Sequence, residues 1–149
     1  MLKHISSSLA IVLLFSASTV AADNGDRDKL FGSWVESGNG SASTWTFSGN
    51  GDSFHVTQLD GTAKVADYPC EADGKKCAVK LAGKKGEVSM WFNGTKLVLL
   101  ETQGPTVVKR RFAVLEQGDT MEMEIIPIVP GGKTETIQFK RAPLSTQSK

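Results

Sequence analysis

The stretch Met121-Glu122-Met123-Glu124-Ile125 alternates apolar with acidic residues, and Ile137–Arg141 repeats the pattern with polar residues at 138 and 140. Successive side chains of a β-strand point to opposite faces, so each stretch predicts a strand with one buried and one solvent-exposed face. Trp45 and Phe47 show the same spacing between threonines. This period of two decides the fold class, because no segment of the chain keeps a helical period.

Strand candidates recur roughly every ten residues and are separated by short turns rich in Gly, Asn and Asp. Only Asp26–Leu30 suits a single helical turn. Short turns favour pairing of each strand with its predecessor, and closing the sheet protects its edges. We therefore predict an all-β, antiparallel up-and-down meander closed into a small barrel of about 8–10 strands, with a β-sandwich as the alternative. The candidates are Leu30–Ser37, Ser43–Ser48, Ser53–Leu59, Ala63–Cys70, Cys77–Ala82, Glu87–Phe92, Lys96–Thr102, Val107–Leu115, Met121–Val129 and Thr134–Arg141.

The first 22 residues have the features of a cleaved signal peptide. Lys3 precedes an apolar run, Leu9–Phe15, and small residues end at Val20-Ala21-Ala22, which is the pattern that a signal peptidase accepts. A membrane anchor would need roughly 20 apolar residues, so we expect no membrane span. The prediction is export to the periplasm or the extracellular space. Residues 23–29 would be an N-terminal segment, 30–142 the barrel domain, and 143–149 a polar tail.

The charge balance and the two cysteines narrow the function classes. The formal net charge is +1, and it falls to zero once Lys3 is removed, so no bulk attraction to nucleic acid is expected. Cys70 and Cys77 flank a polar turn with Asp-Gly at its centre. In an oxidising compartment this arrangement predicts a disulfide across a hairpin. A redox pair is the alternative, although such pairs favour Cys-x-x-Cys at a helix start.

Gly32-Ser33-Trp34, at the start of the first strand candidate, resembles the Gly-x-Trp motif of lipocalins and related calycins. That resemblance implies a small barrel holding one ligand inside. It also implies that a basic residue at the end of the last strand packs over the tryptophan, a place that Arg141 occupies here. The structural residues are then Trp34, Arg141 and the two cysteines. The alternative is a core tryptophan of any small β-barrel.

The interior of such a barrel is the candidate ligand site, and an interior filled by its own side chains is the alternative. Alternation places Arg110 on the face of Phe112, where a buried cation needs a partner. A ligand carboxylate would suit it; an internal Glu101, or the opposite strand register with Arg110 in water, would also satisfy it. The predicted ligand-binding residues are Trp45, Phe47, Phe54, Phe92, Arg110, Phe112, Met121 and Met123.

No catalytic residues, metal ligands or cofactor are predicted. His55 is the one histidine left after signal cleavage, and no nucleophile motif accompanies it. The leading hypothesis is a lipocalin-like binding protein for a small apolar or amphipathic molecule. The second is a protein-binding barrel resembling bacterial inhibitors of secreted metalloproteases, in which Asp23–Lys29 would enter the protease. A barrel enzyme, using Arg110 and His55 inside the cavity, is the third.

Overall fold

The structure is a computed structural model that describes residues 24–38, 40, 42–50 and 53–143. The predicted signal peptide and most of the predicted polar tail lie outside the described residues. One short helix, α1 (Asn24–Asp28), precedes ten strands. The strands are β1 (Gly32–Glu36), β2 (Ser43–Asn50), β3 (Ser53–Asp60), β4 (Ala63–Glu71), β5 (Asp73–Leu81), β6 (Lys84–Asn93), β7 (Lys96–Gln103), β8 (Thr106–Val114), β9 (Thr120–Val129) and β10 (Glu135–Arg141).

The ten strands form one closed antiparallel barrel in which each strand pairs with its predecessor in sequence. The barrel closes because β10 returns to β1, with Arg141 in register with Trp34 and Phe139 with Glu36. Closure leaves no edge strand exposed to another chain. The predicted all-β, up-and-down barrel is therefore confirmed, and the strand number lies at the upper end of the expected range.

Two hairpin arms are longer than the sequence pattern indicated. Strand β5 begins at Asp73 and β6 at Lys84, whereas the pattern predicted Cys77 and Glu87 as their first residues. The lysines at 75, 76, 84 and 85 are typical of turns in the sequence. In the structure they lie within β5 and β6, and the pairing of these strands continues to Leu81↔Lys84. The apolar pattern underestimates these strands because their exposed ends are polar on both faces.

The hydrophobic core lies on the inner face of the barrel wall, and the two ends of the barrel differ. We call the end where α1 lies against β1 and the end of β10 the floor, and the opposite end, with the β3–β4 and β7–β8 turns, the mouth. The largest fully buried side chains lie toward the floor and the middle of the barrel. They include Trp34, Trp45, Tyr68, Phe47, Phe112, Phe139, Met90, Leu97, Leu99 and Met121.

The wall is weakest between β4 and β5. Only Ala66↔Leu81 and Asp67↔Lys80 are in register there, whereas eight residue pairs join β2 to β3. Near the hairpin end, Cys70 and Cys77 form a disulfide with a Cα–Cα distance of 6.0 Å, which confirms the predicted bridge. The covalent link thus joins two strands where the backbone ladder is short.

Candidate ligand-binding site inside the barrel

The floor is closed by the segment that precedes β1. Leu30 is buried, and its carbonyl accepts a 2.8 Å hydrogen bond from Trp34 Nε1. Arg141 lies over Trp34, with its guanidinium carbon 4.1 Å from the ring centroid. In α1, Arg27 lies 4.4 Å from the centroid of the Phe92 ring. These contacts place a cationic and aromatic layer across this end of the barrel.

Above the floor, aromatic rings from distant strands pack together. Phe112 of β8 lies 5.1 Å from the ring centroids of both Trp45 and Phe47 on β2. On the floor side, Phe54 contacts Phe92, with ring centroids 5.4 Å apart. Such tilted pairs are favourable arrangements of aromatic quadrupoles, so these rings form a packed apolar layer inside the barrel.

A charged pair crosses the inner wall next to these rings. Arg110 is in register with Leu99 and Ile125 and faces the interior. Its Nη1 contacts Glu101 Oε1 of β7, a neighbour two residues along the same face. Of the partners considered for Arg110, the structure therefore shows the internal carboxylate of Glu101. Burial lowers the pKa of Arg110, an effect that the nearby Tyr68 opposes, and the charged form is compensated by Glu101.

Tyr68 of β4 also faces the interior and points to the same region from another part of the barrel wall. The side chain is fully buried, and burial raises its pKa to about 12, although the charge of Arg110 acts in the opposite direction. Tyr68 was not among the predicted site residues. The alternation Ala66, Tyr68, Cys70 is a signal that could have placed it inside, because all three are buried.

Apart from Arg110 Nη1, which contacts Glu101, two hydrogen-bond donors in this region have no acceptor. Trp45 Nε1 and Arg110 Nε are both buried without a hydrogen-bond partner, and the Arg110 guanidinium carbon lies 5.7 Å from the Trp45 ring centroid. Most buried donors in proteins are paired. An unpaired donor inside a barrel marks a position where a ligand atom or a water molecule would complete the hydrogen bond.

Burial of the inward-facing side chains is uneven toward the mouth. The side chains of Arg110 and Glu101 are 18% and 13% exposed, whereas Phe112, one step closer to the floor, is fully buried. Inward-facing residues between the pair and the mouth, such as Val108, are half-buried. Burial therefore decreases from the floor toward the mouth along β8, whereas Val88 of β6, in register with Glu101, stays fully buried.

All eight predicted ligand-binding residues face the interior. The structure brings Trp45, Phe47, Arg110 and Phe112 together at the centre. Phe54 and Phe92 lie at the floor, against Phe31 and Arg27 respectively. Met121 and Met123 are buried on β9, in register with Phe139 and Ile137.

His55 lies on the outer face, away from this site. Its Nε2 lies 2.5 Å from Asp67 Oδ1, and Lys64 lies 3.1 Å from the other carboxylate oxygen. The hydrogen bond with His55 is the main reason that the pKa of Asp67 is lowered. His55 and Arg110 are thus on opposite sides of the wall, and the structure does not bring together the groups that the enzyme hypothesis needs.

The described ranges contain neither a metal-binding cluster nor a membrane-spanning helix. Among those residues, no group of three or more His, Cys, Asp or Glu side chains is arranged to hold a metal ion. No helix in the described part of the chain is long and apolar enough to span a membrane.

Comparison with known proteins identifies the fold. No protein-family profile and no curated sequence matches the chain. Solved structures do match. A Schistosoma mansoni fatty acid binding protein in complex with arachidonic acid has a TM-score of 0.65 at 17% identity, covering 80% of this chain and 100% of its own.

Two further matches have similar scores. An abundant heat soluble protein of Ramazzottius varieornatus has a TM-score of 0.64 at 13% identity, over 76% of this chain and 96% of its own. The apo form of Caenorhabditis elegans lipid binding protein 8 has a TM-score of 0.63 at 10% identity, over 77% and 96%. The fold is that of the calycin-type small β-barrels.

Proposed function

We propose that this chain is an exported carrier that holds one small apolar or amphipathic molecule inside its barrel. The observation that carries the proposal is the make-up of the interior: Trp34 and Arg141 close the floor, and above it the partly exposed Arg110–Glu101 pair lies beside buried aromatic rings. A barrel of about this size can hold a single small ligand. Aromatic and thioether side chains supply the apolar surface that such a ligand buries.

Two further points support the proposal. Two of the structurally similar proteins are, by their descriptions, a fatty acid binding protein and a lipid binding protein. The features of residues 1–22 support export, since a basic start, an apolar run and a small-residue cleavage site occur in that order.

The alternative of a metalloprotease inhibitor receives less support. It requires the N-terminal segment to project from the barrel and enter a protease. Residues 24–29 instead lie against the floor, where Arg27 contacts Phe92 and the Lys29 carbonyl accepts a hydrogen bond from Arg141.

Native mass spectrometry of the protein purified from its own host tests the proposal. We expect a co-purifying molecule of lipid size that is released on unfolding. Ile125→Trp should remove it, because Ile125 faces the interior beside Arg110 and a larger side chain would occupy the ligand space.

The matched control is Ile126→Trp on the same strand, where the side chain faces outward with Lys109. This variant should retain the bound molecule. The carrier function is rejected if the wild-type protein carries nothing and also binds no apolar or amphipathic probe added to it.

A further inference from the structure

We infer that the barrel selects ligands whose polar end is an uncharged oxygen acceptor, such as an alcohol, over ligands that end in a carboxylate. The inference rests on the proposed carrier function and concerns the chemistry at Arg110, Glu101 and Trp45. It follows from two independent features of the inner wall, the internal ion pair and the unpaired donors.

The first feature is that the charge at the centre of the inner wall is already balanced. Arg110 Nη1 contacts Glu101 Oε1, and both side chains are largely buried. A ligand carboxylate at Arg110 would lie next to the Glu101 carboxylate, and like charges repel strongly where water is largely excluded. An incoming anion would therefore have to displace Glu101 from its partner, which leaves a buried charge uncompensated.

The second feature is that the remaining buried atoms without a hydrogen bond at this site are donors, once Arg110 Nη1 and Glu101 Oε1, which contact each other, are set aside. Trp45 Nε1 and Arg110 Nε are buried and unpaired. An indole N–H can only donate a hydrogen bond, and so can a guanidinium N–H. The missing group is consequently an acceptor, and a hydroxyl, ester or ketone oxygen supplies one without adding a net charge.

The position of these donors fits the polar end of a ligand whose apolar part extends toward the mouth. Trp45 packs on Phe112, which closes the space below. Val108 lines the wall toward the mouth and Ile125 lines it beside Arg110, and both are half-buried. A sterically similar ligand pair that differs only in its polar end would report the selectivity directly.

The test compares dodecan-1-ol with dodecanoate, measured at pH 8.5 by isothermal titration and by quenching of tryptophan fluorescence. For the full mature protein we expect dodecan-1-ol to bind at least about tenfold more tightly. Equal affinities, or tighter binding of dodecanoate, would overturn this inference while leaving the carrier function intact. Failure of both ligands to bind would overturn the inference, and it would overturn the carrier function as well if native mass spectrometry finds no co-purifying molecule and no other apolar or amphipathic probe binds.

Glu101→Gln tests the cause of the preference. It keeps the shape of the side chain and removes its charge, so dodecanoate affinity should rise about tenfold or more while dodecan-1-ol affinity changes by less than about threefold. An unchanged preference in a folded Glu101→Gln protein would contradict the proposed role of Glu101. The wild-type comparison stands by itself if this variant fails to fold.

The outer face offers a matched control. Arg111, the next residue along β8, pairs with Glu124 at 2.8 and 3.0 Å on the outside of the wall. Glu124→Gln breaks an ion pair of the same type without changing the interior and should leave the ligand preference as in the wild type. Trp45→Phe, which removes the indole donor, should weaken dodecan-1-ol binding about threefold to tenfold and should change dodecane binding less.

Discussion

Arg141 covers Trp34, with the guanidinium carbon 4.1 Å from the ring centroid, and the same guanidinium donates three hydrogen bonds to backbone carbonyls. Its acceptors are Phe31 at 2.7 Å, Lys29 at 2.6 Å and Gly118 at 3.0 Å. One side chain therefore joins the last strand, the segment before β1 and the β8–β9 connection. The planar fork of arginine suits several acceptors at once, which a lysine ammonium does not.

Replacing Arg141 should destabilise the barrel without changing its topology. For Arg141→Ala we expect a loss of roughly 2–3 kcal/mol in the free energy of unfolding, from the charged hydrogen bonds and the cation–π contact. Arg141→Lys should recover less than half of it. Urea denaturation measures both, with Lys96→Ala, on an exposed turn-end position, as the control. A loss below about 0.5 kcal/mol would show that these contacts are not needed.

Gly32→Ala should also destabilise the floor. Gly32 has φ +118°, and a Cβ atom there would lie 2.9 Å from Arg141 Nη1. Backbone strain and displacement of the guanidinium together predict a loss of about 2 kcal/mol. Gly40→Ala is the matched control, because nothing lies within 4 Å of its Cβ position. The expectation is wrong if the two variants have the same urea midpoint.

Removing the disulfide should open the β4–β5 junction first. Cys70 and Cys77 are seven residues apart, and the chain-entropy model assigns such a short loop roughly 2–3 kcal/mol. In a Cys70→Ala/Cys77→Ala protein, amide hydrogen exchange should accelerate in β4 and β5 more than in β2 and β3, since only two residue pairs remain in register there. Uniform acceleration in all strands would contradict a local effect. Dithiothreitol should reproduce the result in the wild type and have no effect on the double variant.

Alkaline titration should report the burial of Tyr68 directly, because it is the one tyrosine of the chain. Phenolate absorbance at 295 nm is expected to rise with a pKa of about 12 in the folded protein and near 10 in denaturant. The folded pKa is the higher one, so stability is present below pH 10 and falls as the pH rises from 10 toward 12.

The comparison variant for this titration is Tyr68→Phe, which should lack both the absorbance change and this part of the loss of stability. A folded-state midpoint near 10 in the wild type would mean that the Tyr68 hydroxyl is in contact with water.

The fold could be predicted from the sequence because its signals are local. Alternation at Met121–Ile125 and glycine-rich turns depend on neighbouring residues only, and they locate all ten strands. The disulfide was predictable for the same reason, as both cysteines flank one turn. The Arg141–Trp34 contact came from the resemblance to calycins rather than from the pattern itself, and it is present in the structure.

The contacts inside the barrel were harder to predict from the sequence. Lys109, Arg110 and Arg111 are all basic, so alternation alone leaves the facing of Arg110 ambiguous and cannot choose among its possible partners. The unpaired Trp45 and Arg110 donors depend on the distance between β2 and β8, which are far apart in sequence and not adjacent in the sheet. Such relationships arise only when the barrel closes.

Closure of the barrel by β1 and β10 also has a practical consequence. Phe31 and Arg141 are hydrogen-bonded at the floor, so the described chain enters and leaves the barrel on the side opposite the mouth. A tag, a linker or a solid support attached through either end would leave the mouth unobstructed. A circular permutant that joins the two ends across this pole and opens the chain at the exposed Gly94 turn should keep the same interior.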